Sequence, residues 1–150
     1  MFDYGDVIFG GCNEKESNSL QKVQNFAVKS INGKSKSQST SESFEKTKLL
    51  NLKTRRKIHE TVFVHKALTN KSAGTTCKIF KKYVPKIQTR RATKMKLNIP
   101  NHKYTKYKKS PLYRCIKAWN DCPENLNMEN IKTHKNQLQN YLVSKKYPNL

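Results

Sequence analysis

A strongly basic stretch, Lys78 to Lys117, holds fourteen Lys or Arg residues among its forty positions and no Asp or Glu. Aromatic rings are distributed among these charges, at Phe80, Tyr83, Tyr104, Tyr107 and Tyr113. Cationic side chains attract phosphates, and rings can support exposed bases or sugars, so this combination favours nucleic-acid binding. The alternative interpretation is a solvated basic loop in the tail of a larger protein.

Residues for covalent or metal-assisted catalysis do not form a recognisable set. A hydrolase needs a nucleophile beside a base, paired carboxylates or a metal, and a polymerase needs clustered Asp residues. The close acidic pair Asp3 and Asp6 lacks a third carboxylate, and no Gly-rich phosphate loop is present. We therefore predict no catalytic residue, no cofactor and no enzymatic activity. Four histidines without ligand or triad spacing are predicted to be surface or packing residues: His59, His65, His102 and His134.

Cysteine usage gives no sign of disulfides or of a metal site. Cys12 and Cys77 belong to no CxxC pair, and no signal peptide precedes them. We expect reduced thiols in an intracellular protein, with the nucleus as one compartment. A zinc site would have to use separations that match none of the usual ligand spacings, from Cys115, Cys122, His102 and His134.

Composition indicates a soluble chain of about one domain with a thin core. Only 35% of the 150 residues are hydrophobic, against roughly 45–50%, glycine included, in ordinary globular chains. No apolar run approaches the roughly 20 residues of a membrane span. The net charge of +21 makes a compact monomer repel itself unless an anionic partner neutralises it.

The charge is concentrated in the middle of the chain. Residues 1–45 carry five basic and six acidic residues, 46–118 carry twenty-two and one, and 119–150 carry four and three. The single acid of the middle segment, Glu60, is predicted to offset Arg56 or Lys57 along its own helix. The middle segment is therefore the predicted binding surface.

Hydrophobic periodicity predicts helices separated by polar loops. Leu20, Val23, Ala27 and Ile31 form an amphipathic stripe, which predicts a helix over Ser17–Ile31 with Ser17 or Asn18 as N-cap and an end at Asn32-Gly33. The Ser-rich stretch Gly33–Ser41 is predicted to be a flexible loop.

Further helices are expected along the rest of the chain. A short helical turn is expected within Ser43–Leu52, and a helix is expected over Thr54–Leu68 with Thr54 as N-cap. Later helices are expected over Cys77–Val84, over Pro111–Asn120 after the start signal Ser110-Pro111, and over Met128–Leu142 with Asn127 as N-cap. Along the last helix, Met128, Ile131, Leu138, Tyr141 and Leu142 lie close to one face. Trp119 is expected to be at least partly buried where the last two helices meet.

Three cations, Arg55, Arg56 and Lys57, crowd the first turn of the helix predicted from Thr54. The helix dipole makes this end positive, so the placement is unfavourable by itself. A phosphate held between the three side chains would explain it, and simple tolerance is the alternative.

Short motifs in a fixed order resemble the C-terminal part of a non-LTR (LINE-type) retrotransposon reverse transcriptase, from the thumb onward. That family shows a Tyr-Gly pair followed by a Trp-Gly, and then a helix resembling LQxxQNRAxRxI. An Arg-Arg helix ending in YKxLxG, a Thr-Arg in a basic stretch, a WNxLP box and a final FKxxLKxYL helix follow. The matching stretches here are Tyr4-Gly5, LQKVQNFAVKSI from Leu20, LKTRRKIHETVFVHKAL from Leu52, Thr89-Arg90-Arg91, WNDCP from Trp119 and THKNQLQNYL from Thr133.

Several positions depart from the family pattern. Phe9 replaces the usual Trp, Phe26 and Val28 interrupt the basic pattern of the first helix, His65 replaces a Tyr, and Cys122 replaces the Leu of the box. Such changes are typical of a drifting or decayed copy. The resemblance implies a truncated fragment of an RNA-directed DNA polymerase, without the catalytic palm, that grips template and primer by backbone contacts.

The expected fold is mainly α: a small, incomplete thumb-like helical bundle with a basic irregular middle and a C-terminal helix pair. The expected segments are 1–32 (truncated thumb), 33–45 (flexible linker), 46–109 (nucleic-acid binding) and 110–150 (helix pair with the WNxxP box). The predicted partner is an RNA or RNA–DNA backbone, with neither a membrane nor a small molecule. A stand-alone RNA-binding protein of ribosomal or nucleolar type remains the alternative.

The predicted binding residues are cations of the middle segment: Arg55, Arg56, Lys57, Lys81, Lys82, Arg90, Arg91, Lys94, Lys96, Lys106, Lys108 and Lys109. Structural roles are predicted for three residues of the WNxxP box: Trp119, Asn120 and Pro123.

Overall fold

The computed structural model describes residues 5–69, 74–85, 96–123 and 130–146. These ranges hold seven α-helices, one 3₁₀ helix and no strand, which confirms the mainly α prediction. The helices are α1 (Asp6–Phe9), α2 (Glu14–Ile31), α3 (Ser41–Thr47), α4 (Leu52–Leu68), α5 (Gly74–Lys81), the 3₁₀ helix (Thr105–Lys109), α6 (Pro111–Asn120) and α7 (Ile131–Lys146).

Helix α4 is the centre of the fold, since it packs against α1, α2, α5, α6 and α7. The main core lies between α4, α5 and α6, and a smaller apolar cluster of Leu50, Ile58 and Leu138 joins α4 to α7. Helix α4 belongs to the segment 46–109 that was predicted to bind nucleic acid, and it also packs against most of the other helices. The main core consists of Val64, Ala67, Phe80, Leu97, Cys115, Ile116 and Trp119.

The boundaries of α6 follow its local sequence as predicted. Ser110 is the N-cap, and its hydroxyl accepts a hydrogen bond from the Tyr113 backbone N–H at 3.3 Å. Pro111 occupies the first helical position, where its missing N–H costs nothing. These two residues and the end at Asn120 confirm the predicted range.

The predicted N-caps of α2 and α4 are wrong by about one turn. Asn13 caps α2 in a capping box, in which its side chain accepts from the Glu16 N–H while Glu16 accepts from the Asn13 N–H. Asn51 caps α4 by accepting from the Thr54 N–H at 2.9 Å. Both helices begin earlier because an asparagine upstream of the predicted cap satisfies the first free backbone donors.

The end of α2 is confirmed at Asn32-Gly33. Gly33 adopts φ 63°, in the left-handed region that suits glycine. The Lys34 N–H donates to the Lys29 carbonyl and the Gly33 N–H to the Ser30 carbonyl, which is the Schellman arrangement. The carbonyls of the last turn are thus satisfied before the chain turns away.

Residues 34–40 form turns without regular secondary structure, and the predicted flexibility of this loop stays a prediction. The Ser35 N–H donates to the Gln38 side chain at 3.0 Å, and Lys34 pairs with Glu42. Helix α3 begins at Ser41, inside the range 33–45 that we expected to be linker, and it buries Phe44.

The apolar stripe of α2 faces solvent for most of its length. Val23 is 53% exposed and Ile31 is 72% exposed. The helix packs on the bundle through buried Val28 and two polar side chains. Gln24 donates to the Leu50 carbonyl at 3.0 Å, and Gln21 accepts from the Leu52 N–H at 2.9 Å. Amphipathic periodicity therefore predicted the helix but not the face that packs.

Trp119 is fully buried and lies between α6 and α7, as predicted. Its ring stacks on His134 of α7, with centroids 5.9 Å apart and an interplanar angle of 23°. His65 of α4 lies beside both rings, 4.7 Å from His134. These two histidines are packing residues, as their spacing indicated. The predicted cap Asn127 and apolar Met128 lie outside the described residues.

Candidate nucleic-acid interface

A cleft of about 740 Å³ opens between the first turns of α4, helix α6, the 3₁₀ helix and the junction of α1 with α2. Seven basic and three acidic residues line it, so the lining carries an excess positive charge of four. This cleft brings together cations from three separate elements. Its exposed cations, which we call the rim lysines, are Lys53, Lys57, Lys108, Lys109 and Lys117.

Helical spacing explains why α4 supplies cations to the cleft. Lys53, Arg56, Lys57 and Glu60 follow the i, i+3, i+4, i+7 pattern, which places them on one face of the helix. The same stripe continues toward the C-terminus of α4 into Val64 and Ala67, which are buried in the main core. The cleft therefore lies where this face of α4 carries charged residues, one to two turns before the face becomes apolar.

Two arginines, which we call the floor arginines, lie deep in the cleft. Arg56 is 8% exposed, its Nε lies 3.7 Å from Asp6 Oδ1, and it donates to the Ser17 hydroxyl at 3.1 Å. The other oxygen of this carboxylate, Asp6 Oδ2, lies 2.9 Å from His59 Nδ1, within hydrogen-bond distance. Arg56 Nε itself is buried without a hydrogen-bond partner.

Arg114 holds the cleft together from α6. It donates to Glu60 Oε1 at 2.8 Å, to the Lys109 carbonyl at 2.8 Å and to the Val7 carbonyl at 2.7 Å. Gly11 lies so close to this guanidinium and to the Lys109 carbonyl that a Cβ there would collide with both. Arg114 thus fixes the end of the 3₁₀ helix, where the rim lysines Lys108 and Lys109 lie.

Burial governs the titration of two groups beside Arg114. Burial raises the pKa of Glu60 above its ordinary value, although the hydrogen bond and charge of Arg114 oppose this shift. Burial, helped by the Glu60 charge, raises the pKa of the Cys115 thiol to about 12. Cys115 is therefore a neutral thiol at physiological pH, unsuited to nucleophilic or ligand chemistry.

The structure corrects the predicted role of Arg56 and the predicted partner of Glu60. Arg56 is committed to Asp6 and Ser17 inside the protein, so it is not available as an exposed phosphate contact. Glu60 pairs with Arg114 of another helix rather than with Arg56 or Lys57 of its own. In both cases, a residue distant in sequence supplies the partner.

The other predicted binding residues divide into those that line the cleft and those that lie elsewhere. Lys57, Lys108 and Lys109 line it. Arg55 lies near α7 beside a smaller pocket that Lys135 also lines. The remaining described ones are exposed but do not line the cleft: Lys81, Lys82, Lys96 and Lys106. Arg90, Arg91 and Lys94 lie outside the described residues.

The three predicted structural residues of the WNxxP box lie within the packed part of the fold. The Asn120 side chain accepts from the Leu97 N–H at 2.9 Å and donates to the Leu97 carbonyl at 2.8 Å, which holds Leu97 against the end of α6. Trp119 is in the core, and Pro123 is half-buried beside a pocket shared with α7.

Sequence reasoning missed two rim lysines and one floor arginine. Lys53 lies four residues before Lys57 in α4, and Arg114 and Lys117 lie three residues apart in α6. This helical spacing was the available signal, but it shows only that two residues share a face and does not show which neighbouring element that face meets.

Within the ranges that the structure describes, no group of three or more His, Cys, Asp or Glu residues could hold a metal ion. No helix in the same ranges is both long enough and apolar enough to cross a membrane. Comparison with protein-family models, curated proteins and solved structures finds no match to this chain.

Proposed function

We propose that this protein binds the sugar–phosphate backbone of nucleic acid, without base-sequence specificity, through the rim lysines. One observation carries the proposal: five exposed lysines from three elements converge on one cleft. Within the described part of the chain, none of the five is in an ion pair with a carboxylate. Five exposed cations without an ion-pair partner, in a cleft whose lining has an excess positive charge of four, favour a polyanion.

The type of cation favours backbone contacts over base readout. Lysine is a compact charge on a flexible stem, whereas base recognition usually relies on the planar fork of arginine. The two arginines of the cleft are occupied by Asp6, Glu60 and backbone carbonyls. Contacts made by lysine to phosphate fix position but carry no sequence information.

The motif resemblance supports a finer proposal on origin. We propose that the chain is a truncated C-terminal fragment of a non-LTR retrotransposon reverse transcriptase that holds nucleic acid without polymerising it, and that it acts inside the cell, with the nucleus as one compartment. Primer extension with magnesium tests this directly: incorporation above a no-protein blank would contradict it. A stand-alone RNA-binding protein is the second candidate, and palm-like Asp-Asp coding sequence upstream in the genome would exclude it.

Binding through the cleft is tested with matched triple substitutions. Lys57→Gln, Lys109→Gln and Lys117→Gln together remove three rim charges, and Lys22→Gln, Lys132→Gln and Lys135→Gln remove three exposed charges elsewhere. Fluorescence anisotropy on an RNA–DNA hybrid at about 100 mM salt should show affinity reduced about 100-fold or more by the rim variant, since each phosphate contact contributes nearly tenfold at this salt.

The control variant should bind within about threefold of the wild type, and two hybrids of unrelated sequence should give the same ranking. Equal losses from both triple variants would show that binding is a diffuse effect of net charge and would contradict a defined interface.

A further inference from the structure

A cluster of three aromatic rings supports the segment that leads to the rim lysines. His102 stacks on Tyr107, with centroids 5.4 Å apart at 23°, and Tyr113 packs edge-on against both rings. Tyr113 also lines the cleft, so the cluster joins this segment to α6. The backbone of residues 102–110 is thereby held in place by ring packing.

Tyr104 lies within this supported segment but outside the ring cluster. It is 73% exposed, the largest exposed fraction among the large hydrophobic residues of the described chain. It directly precedes the 3₁₀ helix, with extended backbone at φ −113° and ψ 136°. Lys103 and Lys106, both exposed, flank it. A fixed backbone therefore presents an aromatic ring to solvent among cations.

Tyr141 provides an internal comparison. It is 40% exposed, and Lys145 Nζ lies over its ring at 6.0 Å from the centroid. Among the described residues, Tyr104 has neither a ring nor a cation as partner. The face of Tyr104 is thus open to an incoming planar group, while a lysine covers part of Tyr141.

The distance between Tyr104 and the rim suits a nucleotide. A 3₁₀ helix rises ~2 Å per residue, so Lys108 and Lys109 lie about 8–10 Å along the helix from Tyr104. A phosphate held by either lysine would leave a base of the same or the next nucleotide within reach of the Tyr104 ring. A base inside a duplex already has both faces stacked, so away from the duplex ends only an unpaired base can stack on this ring.

We propose that Tyr104 is a stacking platform for an unpaired nucleobase, so that the preferred ligand has a single-stranded segment next to the phosphates held by the rim lysines. The proposal rests on the proposed backbone binding and adds the structural class of the nucleic acid. The Tyr104 contact requires an unpaired base, whereas the rim lysines can contact the phosphates of single and double strands alike.

Strand-specific binding tests the platform. Tyr104→Ala, Tyr104→Phe and the control Tyr141→Ala are compared by anisotropy on a 12-nucleotide single strand, a blunt 12-base-pair hybrid and the same hybrid with a three-nucleotide overhang. Tyr104→Ala should weaken binding to the single strand and the overhang about tenfold, with the blunt hybrid unchanged, in keeping with the loss of one stacked base. Tyr104→Phe retains the ring and should bind as the wild type does, and Tyr141→Ala should change nothing.

A fluorescent base reports the contact itself. 2-Aminopurine in the overhang should be quenched by the wild type and by Tyr104→Phe but not by Tyr104→Ala. Unchanged binding of the single strand by Tyr104→Ala, or equal losses on the single strand and the blunt hybrid, would overturn the platform. If the rim triple variant still weakens every ligand, the backbone-binding proposal survives that result; if it does not, the backbone-binding proposal is the one that fails.

Discussion

The floor and the rim of the cleft use cations in opposite ways. The floor arginines are largely buried and bind carboxylates and backbone carbonyls from α1, α4 and the 3₁₀ helix. The rim lysines are exposed and, in the described chain, have no carboxylate partner. The difference shows that positive charge alone does not identify a binding residue: its partner within the fold decides whether a cation stabilises the protein or is free for a ligand.

Removing a floor arginine should produce the largest effect on stability. Arg114→Ala leaves Glu60 buried without its partner and two carbonyls without their donor, so we expect a loss of about 3–5 kcal/mol in the free energy of unfolding, measured with urea. Lys117→Ala, one turn further along the same helix and exposed, should change it by no more than about 0.5 kcal/mol. Similar losses from the two variants would erase the distinction between floor and rim.

The salt dependence of binding counts the cations that contact phosphate. Five rim lysines predict a slope of log K against log salt of about −4.5 on a duplex, and inclusion of both floor arginines would predict about −6. The rim triple variant should retain a slope of about −2, for its two remaining contacts. A wild-type slope near −6 that the rim variant scarcely changes would assign binding to the floor or to other residues.

The pH dependence of stability should show the smallest effect. Because burial raises the folded pKa of Glu60, its contribution to stability is fully present below the unfolded value near 4.5 and is lost as pH rises through the folded value. Relative to Glu60→Gln, the wild type should therefore become less stable as pH rises above about 4.5. Urea unfolding of both proteins at a series of pH values measures this, and the opposite trend would mean that the Arg114 pair outweighs burial.

Features that are determined by a few neighbouring residues, such as helix ends, could be predicted from the sequence. Ser110-Pro111 determines where α6 begins, and Asn32-Gly33 determines where α2 ends. The burial of Trp119 followed from its size and its position between two helices. These features needed no knowledge of which elements meet.

Features that depend on distant partners could not be predicted. Arg56 looked like a surface cation because its partner Asp6 is fifty residues away, and Glu60 pairs with Arg114 from α6. The predicted apolar stripe of α2 is exposed because the helix packs instead through Gln21, Gln24 and buried Val28. Periodicity gives a helix its faces but does not say which face meets a neighbour.

Lysine footprinting tests the central claim most directly. The protein is acetylated briefly with and without an RNA–DNA hybrid, and the modification of each lysine is measured by mass spectrometry. Bound phosphates should protect Lys57, Lys109 and Lys117 several-fold, while Lys22 and Lys132, which are also exposed but lie outside the cleft, should keep their reactivity. Equal protection of the two sets, or protection of Lys22 and Lys132 alone, would contradict binding through the cleft.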